Sequence, residues 1–269
     1  MKLLFQSDDY GITEGVACGT LKGIRDGLIR NTGLFVNMPS SEFAAEQIKY
    51  YPQCCFGIDI NLVAGRPISP LDQVPSLVKP SGEFYTSGEI VAKSDISLMD
   101  LKFDKMENDP YPLDETLIEA DNQVKRFMEL VGKKPGYIQG HSLMTPNINK
   151  ALEMMAKKYE IPYTMNFLKE HNFHWVTINW YLRPFPVEKQ LQTDVEAGVM
   201  EVISEVLDHE YSFLVSHVGF VDEDLFRCSN YTIIRAKDLF MACSPRLKAF
   251  VETHKVELIT YDDLKKGRA

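Results

Sequence analysis

Met1-Lys2-Leu3-Leu4-Phe5-Gln6-Ser7-Asp8-Asp9-Tyr10-Gly11 opens the chain, and its reading decides the fold. Met1 to Phe5 is a near-continuous apolar run, the pattern of a short strand buried on both faces of a parallel sheet. Two carboxylates and a glycine follow at its C-terminal end. In parallel α/β architectures that end carries the loops where chemistry is done. Neighbours on an extended chain point to opposite sides, so one acid can hold a metal while the other reaches substrate. Adjacent like charges are costly unless a cation or hydrogen bonds compensate them. The competing reading is a solvated Asp-Asp turn closed by Gly11.

Working outward, strand-like and helix-like segments alternate. Thr13 caps a helix carrying Val16, Leu21 and Ile24 that ends near Gly27. Leu34 to Met38 reads as a strand, and Ser40 or Ser41 caps a helix from Phe43 to Tyr51, stopped by Pro52. Cys55 to Leu62 reads as a strand with Asp59 in its middle. Residues 64 to 113 break the rhythm with Pro67, Pro70, Pro75, Pro80, Pro110 and Pro112, and read as an inserted loop with short helical pieces over the site. Leu117 to Val131 is a helix stopped by Gly132. Gly136 to His141 is a short strand, Asn147 to Tyr159 a helix, and Tyr163 to Asn166 a strand. Val195 to Val206 carries a helical stripe, and Phe213 to His217 is a buried strand. Ser244-Pro245 starts a helix, and Val256 to Thr260 is the last strand. This alternation predicts an α/β fold with a parallel sheet or irregular (β/α) barrel, in one domain over residues 1–269.

Composition narrows the class. The 269 residues are 45% apolar and carry a net charge of −9, enough for a full core and unfavourable for phosphate-rich nucleic acid. No stretch approaches the ~18 apolar residues of a membrane span. Nothing near Met1 resembles a secretory signal. The five cysteines lack CxxC spacing and read as reduced thiols, so a cytoplasmic location is expected.

Four predicted strand ends carry polar groups: Asp8-Asp9, Asp59-Ile60-Asn61, Gln139-Gly140-His141 and Ser216-His217. In a parallel sheet they meet on one face. Carboxylate and imidazole ligands suit a divalent cation with positions left for water. A further acid can act as general base, and a histidine across the site can protonate a leaving group. These parts point to metal-assisted hydrolysis. Plainer readings exist for each: His141 as a helix cap, His217 as a satisfied core histidine, His171 and His174 as surface residues, and Trp175 and Trp180 as core.

The motifs also carry a resemblance. Ser7-Asp8-Asp9-Tyr10-Gly11 resembles the N-terminal Ala-Asp-Asp-Phe-Gly motif of the YdjC/ChbG-like carbohydrate deacetylases. Phe56 to Leu62 with Gly65-Arg66-Pro67, Pro135 to His141, Ser216-His217-Val218-Gly219, and Ser229-Asn230-Tyr231 with Arg235, Leu239 and Ser244-Pro245 are similar to that family's later segments, in order. The resemblance implies a barrel related to the NodB-type deacetylases, and removal of acetyl groups from N-acetylated sugars or oligosaccharides. It implies Asp8 as general base, Asp9 and His141 as metal ligands, His217 as general acid and Arg183 as the residue orienting the base. It also implies a possible homodimer.

Three positions depart from the family pattern. Asp59 stands where the family has its first metal-ligating histidine. Gln139 replaces an aspartate, and Leu143 replaces a second histidine. The expected ligand set is therefore Asp9, Asp59 and His141, oxygen-rich, favouring Mg²⁺ over Mn²⁺ or Zn²⁺. The alternatives are a sugar-binding relative weakened by Asp59 and Gln139, and another metal hydrolase such as a phosphoesterase. The last would want more lysine and arginine near the motifs than Arg66 supplies.

Overall fold

The computed structural model describes residues 1–94, 108–178 and 185–265. Its strands are β1 (Lys2–Tyr10), β2 (Asn31–Leu34), β3 (Cys55–Ile60), β4 (Ile138–Gly140), β5 (His174–Trp175), β6 (Tyr211–Ser216) and β7 (Glu257–Leu258). Their order is β4-β3-β2-β1-β6-β5, with β7 beside the start of β1. Each strand pairing is parallel. Among the described residues no ladder joins β4 to β5, so the curled sheet is an open, irregular barrel. The helices are α1 (Glu14–Arg25), α2 (Ser41–Gln47), α3 (Ser87–Lys93), α4 (Leu113–Val131), α5 (Pro146–Tyr159), α6 (Thr164–Glu170), α7 (Val187–Gln192), α8 (Val195–Val202), α9 (Leu225–Cys228), α10 (Ile233–Cys243), α11 (Pro245–Thr253) and α12 (Tyr261–Lys265).

Local chemistry sets many of these boundaries. Thr13 accepts from the Val16 N–H at the start of α1, and Gly132 ends α4 at φ 76°. Ser244 caps α11 just ahead of Pro245. Two expected strands fall elsewhere. Tyr163 to Asn166 is the entry to α6, because Thr164, Phe167 and Leu168 are buried at helical spacing. β2 is Asn31–Leu34 rather than Leu34 to Met38. Its polar residues are satisfied inside the sheet: Asn31 Nδ2 donates to Ile259 O, and Thr32 Oγ1 donates to Ser7 O. The segment after β3 is tied down by α4, where the buried Glu119 accepts from the Ile68 and Ser69 N–H groups. α3 is its short helix, and residues 95–107 lie outside the described set.

Alternation along β1 organises the interior. Leu3 and Phe5 join the main core beneath the helices, each fully buried side chain contributing about 1.5–3 kcal/mol. Leu4 faces the other way, into a cluster with Cys55, Tyr137, Phe167, Phe213, Ile259 and Tyr261. Gln6 and Asp8 continue that inner face at period two. The barrel interior thus has an apolar floor, a polar middle at Gln6 and Gln139, and carboxylates at the top.

β1 breaks its alternation at the top. Ser7 pairs with Thr32 and Tyr10 with Leu34, so an extra residue stands on β1 between them. Asp9 takes φ 69° and Gly11 φ 85°. This bulge corrects the expectation that Asp8 and Asp9 point to opposite sides of an extended strand: the left-handed step at Asp9 turns both acids toward the mouth of the barrel.

Candidate active site

Two of the other three polar strand ends, and one helix, meet Asp9 directly. Its backbone N–H donates to Asp59 Oδ2 at 2.8 Å. Its Oδ1 lies 2.7 Å from His141 Nδ1, an ion-pair contact that lacks hydrogen-bond alignment. Its Oδ2 receives a 2.6 Å bond from Arg235 Nη2 on α10. Asp9 and Arg235 are each 1% exposed, so this is a buried pair. Burial alone would push the Asp9 carboxyl up. The charges of His141 and Arg235, helped by His217, outweigh it and hold Asp9 well below the usual carboxylate range.

Asp8 is in the opposite regime. It is half-buried and accepts one 2.7 Å bond from Gln6 Nε2. Burial and then the charge of Asp9 push its pKa up to about 6. Asp59, fully buried on β3, is raised well above its ordinary value by burial and by Asp8 and Asp9. Only glycine fits at position 33 opposite it, because a Cβ there would stand 1.7 Å from Asp59 Oδ1.

His141 follows β4, fixed by its N–H to Ile60 O (3.0 Å) and by an edge-on contact with Phe35 (4.9 Å between centroids). His217 follows β6. Its backbone N–H donates to Asp238 Oδ2 at 2.9 Å, and its ring lies 5.1 Å from that of Tyr231. Gln139 lies in register with Asp59, accepts from Gln6 Nε2 at 2.6 Å, and favours the ionised forms of both Asp8 and Asp59.

Asp8, Asp9, Asp59, His141 and His217 are thus gathered as the strand ends imply. Asn61 is not: its Oδ1 accepts from the Val63 and Ala64 N–H groups and shapes the next loop. Leu143 is buried in the core. Arg183 and Trp180 lie outside the described residues. His174 pairs with Glu205 (2.8 Å) and stacks on His209, at the opposite ends of the strands. Arg235 was not singled out from sequence as a site residue. The available signal was two charges, Arg235 and Asp238, on the apolar stripe of α10 with Ile234, Leu239 and Ala242.

Among the described residues, no three histidine, cysteine or carboxylate side chains are already closed around one point as a ready-made metal cage. The donor set nevertheless fits a divalent cation. Asp59 Oδ1 is buried without a hydrogen-bond donor, and Asp9 Oδ1 meets only the His141 imidazole, with Asp8 the third carboxylate of the cluster. Orphaned buried carboxylate oxygens are costly unless something positive meets them.

A family model described as YdjC-like protein matches residues 2–253. The chain belongs to the YdjC-like family. Two relatives within reach of that family are similar over nearly their whole length. Carbohydrate deacetylase 2 of Listeria innocua is 27% identical, with 99% of this chain and 100% of the relative covered. The carbohydrate deacetylase of Oceanobacillus iheyensis is 31% identical, with 94% and 100% covered. A crystal structure from Enterococcus faecalis, provisionally assigned to cellobiose-phosphate cleavage, superposes with a TM-score of 0.75 at 22% identity over 98% of both chains. That likeness places the YdjC-like chain in the same fold. No helix among the described residues is long and apolar enough to cross a membrane.

Proposed function

We propose that this YdjC-like protein is a carbohydrate deacetylase that hydrolyses the acetamide of an N-acetylated sugar or oligosaccharide, with a divalent cation as cofactor. One observation carries the reading: adjacent carboxylates in opposite states, Asp9 held ionised by His141 and Arg235, and Asp8 raised to about 6. Two acids pushed apart by their surroundings mark a division between fixed charge and proton transfer. The names of the curated relatives supply the substrate class.

Asp9, Asp59 and His141 would hold the cation, which supplies a Lewis acid for the acetyl carbonyl and for water. The oxygen-rich set favours Mg²⁺, with Mn²⁺ or Zn²⁺ as alternatives. Asp8, with a pKa near the working range, takes a proton from the attacking water. His217, just past the end of β6, gives a proton to the sugar nitrogen as the C–N bond breaks, releasing acetate and the free amine. Arg183 is assigned to orient Asp8. The protein works in the cytoplasm, with a homodimer as its assembly.

A second reading, a sugar-binding relative with reduced turnover, is favoured by one contact. Asp59 Oδ2 is already engaged by the Asp9 N–H, leaving only one oxygen for a cation. Purified protein, chelated and resupplied with Mg²⁺, Mn²⁺ or Zn²⁺, separates the two. Acetate release from N-acetylglucosamine oligomers supports the enzyme. Sugar binding without acetate under every metal supports the second reading.

A further inference from the structure

Below the carboxylates lies a buried polar layer that the chemistry above does not use. Gln6 Nε2 donates to Asp8 Oδ1 (2.7 Å) and to Gln139 Oε1 (2.6 Å). Gln6 Oε1 accepts from the Tyr261 hydroxyl (2.8 Å), which also lies 3.1 Å from Thr164 Oγ1. Gln6 and Tyr261 are 1% and 0% exposed. Tyr261 belongs to α12, 255 residues along the chain from Gln6, and its ring stacks on Tyr137 at 4.1 Å.

Hydrogen-bond polarity leaves this layer one arrangement. An ionised Asp8 only accepts, so Gln6 must turn its amide nitrogen upward. Both of that nitrogen's protons are then committed, one to Asp8 and one to Gln139 Oε1. The carbonyl of Gln6 must face down, where the Tyr261 hydroxyl is the donor that meets it. With its own Oε1 taken by Gln6, Gln139 has only its amide nitrogen left to offer the carboxylates. A flipped Gln6 would set a carbonyl oxygen against a carboxylate and a donor against a donor.

We propose that Tyr261 and Gln6 form a one-way donor relay that positions Asp8 for proton transfer, which makes Tyr261, a residue of the C-terminal helix, a positioning residue of the site. This rests on the reading of Asp8 as general base. The relay touches neither substrate nor the reacting atoms. It acts by fixing which Asp8 oxygen is engaged from below and which is left for the water.

The test is Tyr261→Phe, which keeps the stack on Tyr137 and removes only the donor. On an N-acetylated sugar oligomer, kcat falls by about ten- to a hundredfold, the size expected for a displaced reacting group, while KM stays within about twofold. Gln6→Glu, equal in shape but carrying an acceptor toward Asp8, falls at least as far. A Tyr261→Phe kcat within about twofold of wild type, or a loss carried by KM, overturns the relay while leaving the deacetylase standing. A second measurement needs no turnover. The side-chain amide protons of Gln6, assigned by their absence in Gln6→Leu spectra, are protected from solvent exchange in the wild type and lose protection in Tyr261→Phe. If a wild type silent on every substrate sinks the deacetylase reading, this exchange still decides the relay: Gln6 amide protons that exchange like those of a surface glutamine overturn it.

Discussion

The two walls beside β1 are built differently. On the β6–α10 side, the charged groups beside Asp9 are paired, although Arg235 Nη1 is buried without a hydrogen-bond partner. Arg235 Nε donates to Tyr231 O at 2.7 Å while its Nη2 holds Asp9, and Asp238 Oδ2 receives both the His217 N–H and the Tyr231 hydroxyl. On the β3–β4 side, Asp59 Oδ1 is buried without a donor, and the acid there is raised well above its ordinary value. One wall supplies fixed positive charge, and the other supplies open valences. The contrast shows where this fold concentrates stability and where it accepts strain for reactivity. The bulged Asp9, with φ 69°, joins them.

Breaking the closed wall has the largest expected effect. Arg235→Leu leaves Asp9 buried without its hydrogen-bonded guanidinium partner, so about 3–5 kcal/mol of unfolding free energy is lost. Chemical denaturation checks this, and a loss below about 1 kcal/mol would show that Arg235 is not what holds the bulge. Asp8→Asn comes next and acts on rate. Removing a general base lowers kcat by about 10²–10⁴-fold, while the fold is retained because the amide can still accept from Gln6.

Asp59→Asn sharpens the open wall. The amide oxygen still accepts from the Asp9 N–H, so the bulge persists, but an anionic oxygen is lost. Calorimetric titration of Mg²⁺ or Mn²⁺ onto the chelated protein should show affinity at least about tenfold weaker. Unchanged affinity removes Asp59 from the ligand set.

The smallest effect is in pH dependence. Asp8 has a folded pKa of about 6 against its ordinary 3.8, so the folded state keeps a proton that the unfolded chain gives up. The stability Asp8 contributes is therefore present below the ordinary value and is lost as pH rises through about 6. Asp9, lowered, does the reverse: its contribution is present at neutral pH and lost in acid. In the metal-free protein, the stability difference between wild type and Asp8→Asn should fall from pH 4 to pH 7. A difference that is flat or rises across that range contradicts the raised Asp8.

Much of the open wall was legible in the sequence, and little of the closed one. Asp8-Asp9, Asp59 and His141 lie at the ends of apolar strands, as does His217 on the closed wall, and parallel strands bring such ends together whatever their separation. The bulge was not legible. A positive φ at an aspartate leaves no composition signal, so the alternation rule placed the two acids on opposite sides when the left-handed step turns both to the mouth. Arg235 lies 226 residues from its partner, and nothing local to α10 names Asp9. Gln6 passes for filler in an apolar strand until Tyr261 and Gln139 stand on either side of it. The four residues from Tyr163 formed a run too short to separate strand from helix, and burial at Phe167 and Leu168 decided it.

The most direct measurement is acetate release from N-acetylglucosamine oligomers by chelated protein resupplied with Mg²⁺, Mn²⁺ or Zn²⁺, run beside Asp8→Asn and Asp9→Asn. A metal-restored release of acetate that both substitutions abolish is the expected result. No acetate with any metal, or acetate that persists undiminished in Asp8→Asn, would contradict the assignment of this site as a metal-dependent sugar deacetylase with Asp8 as its base.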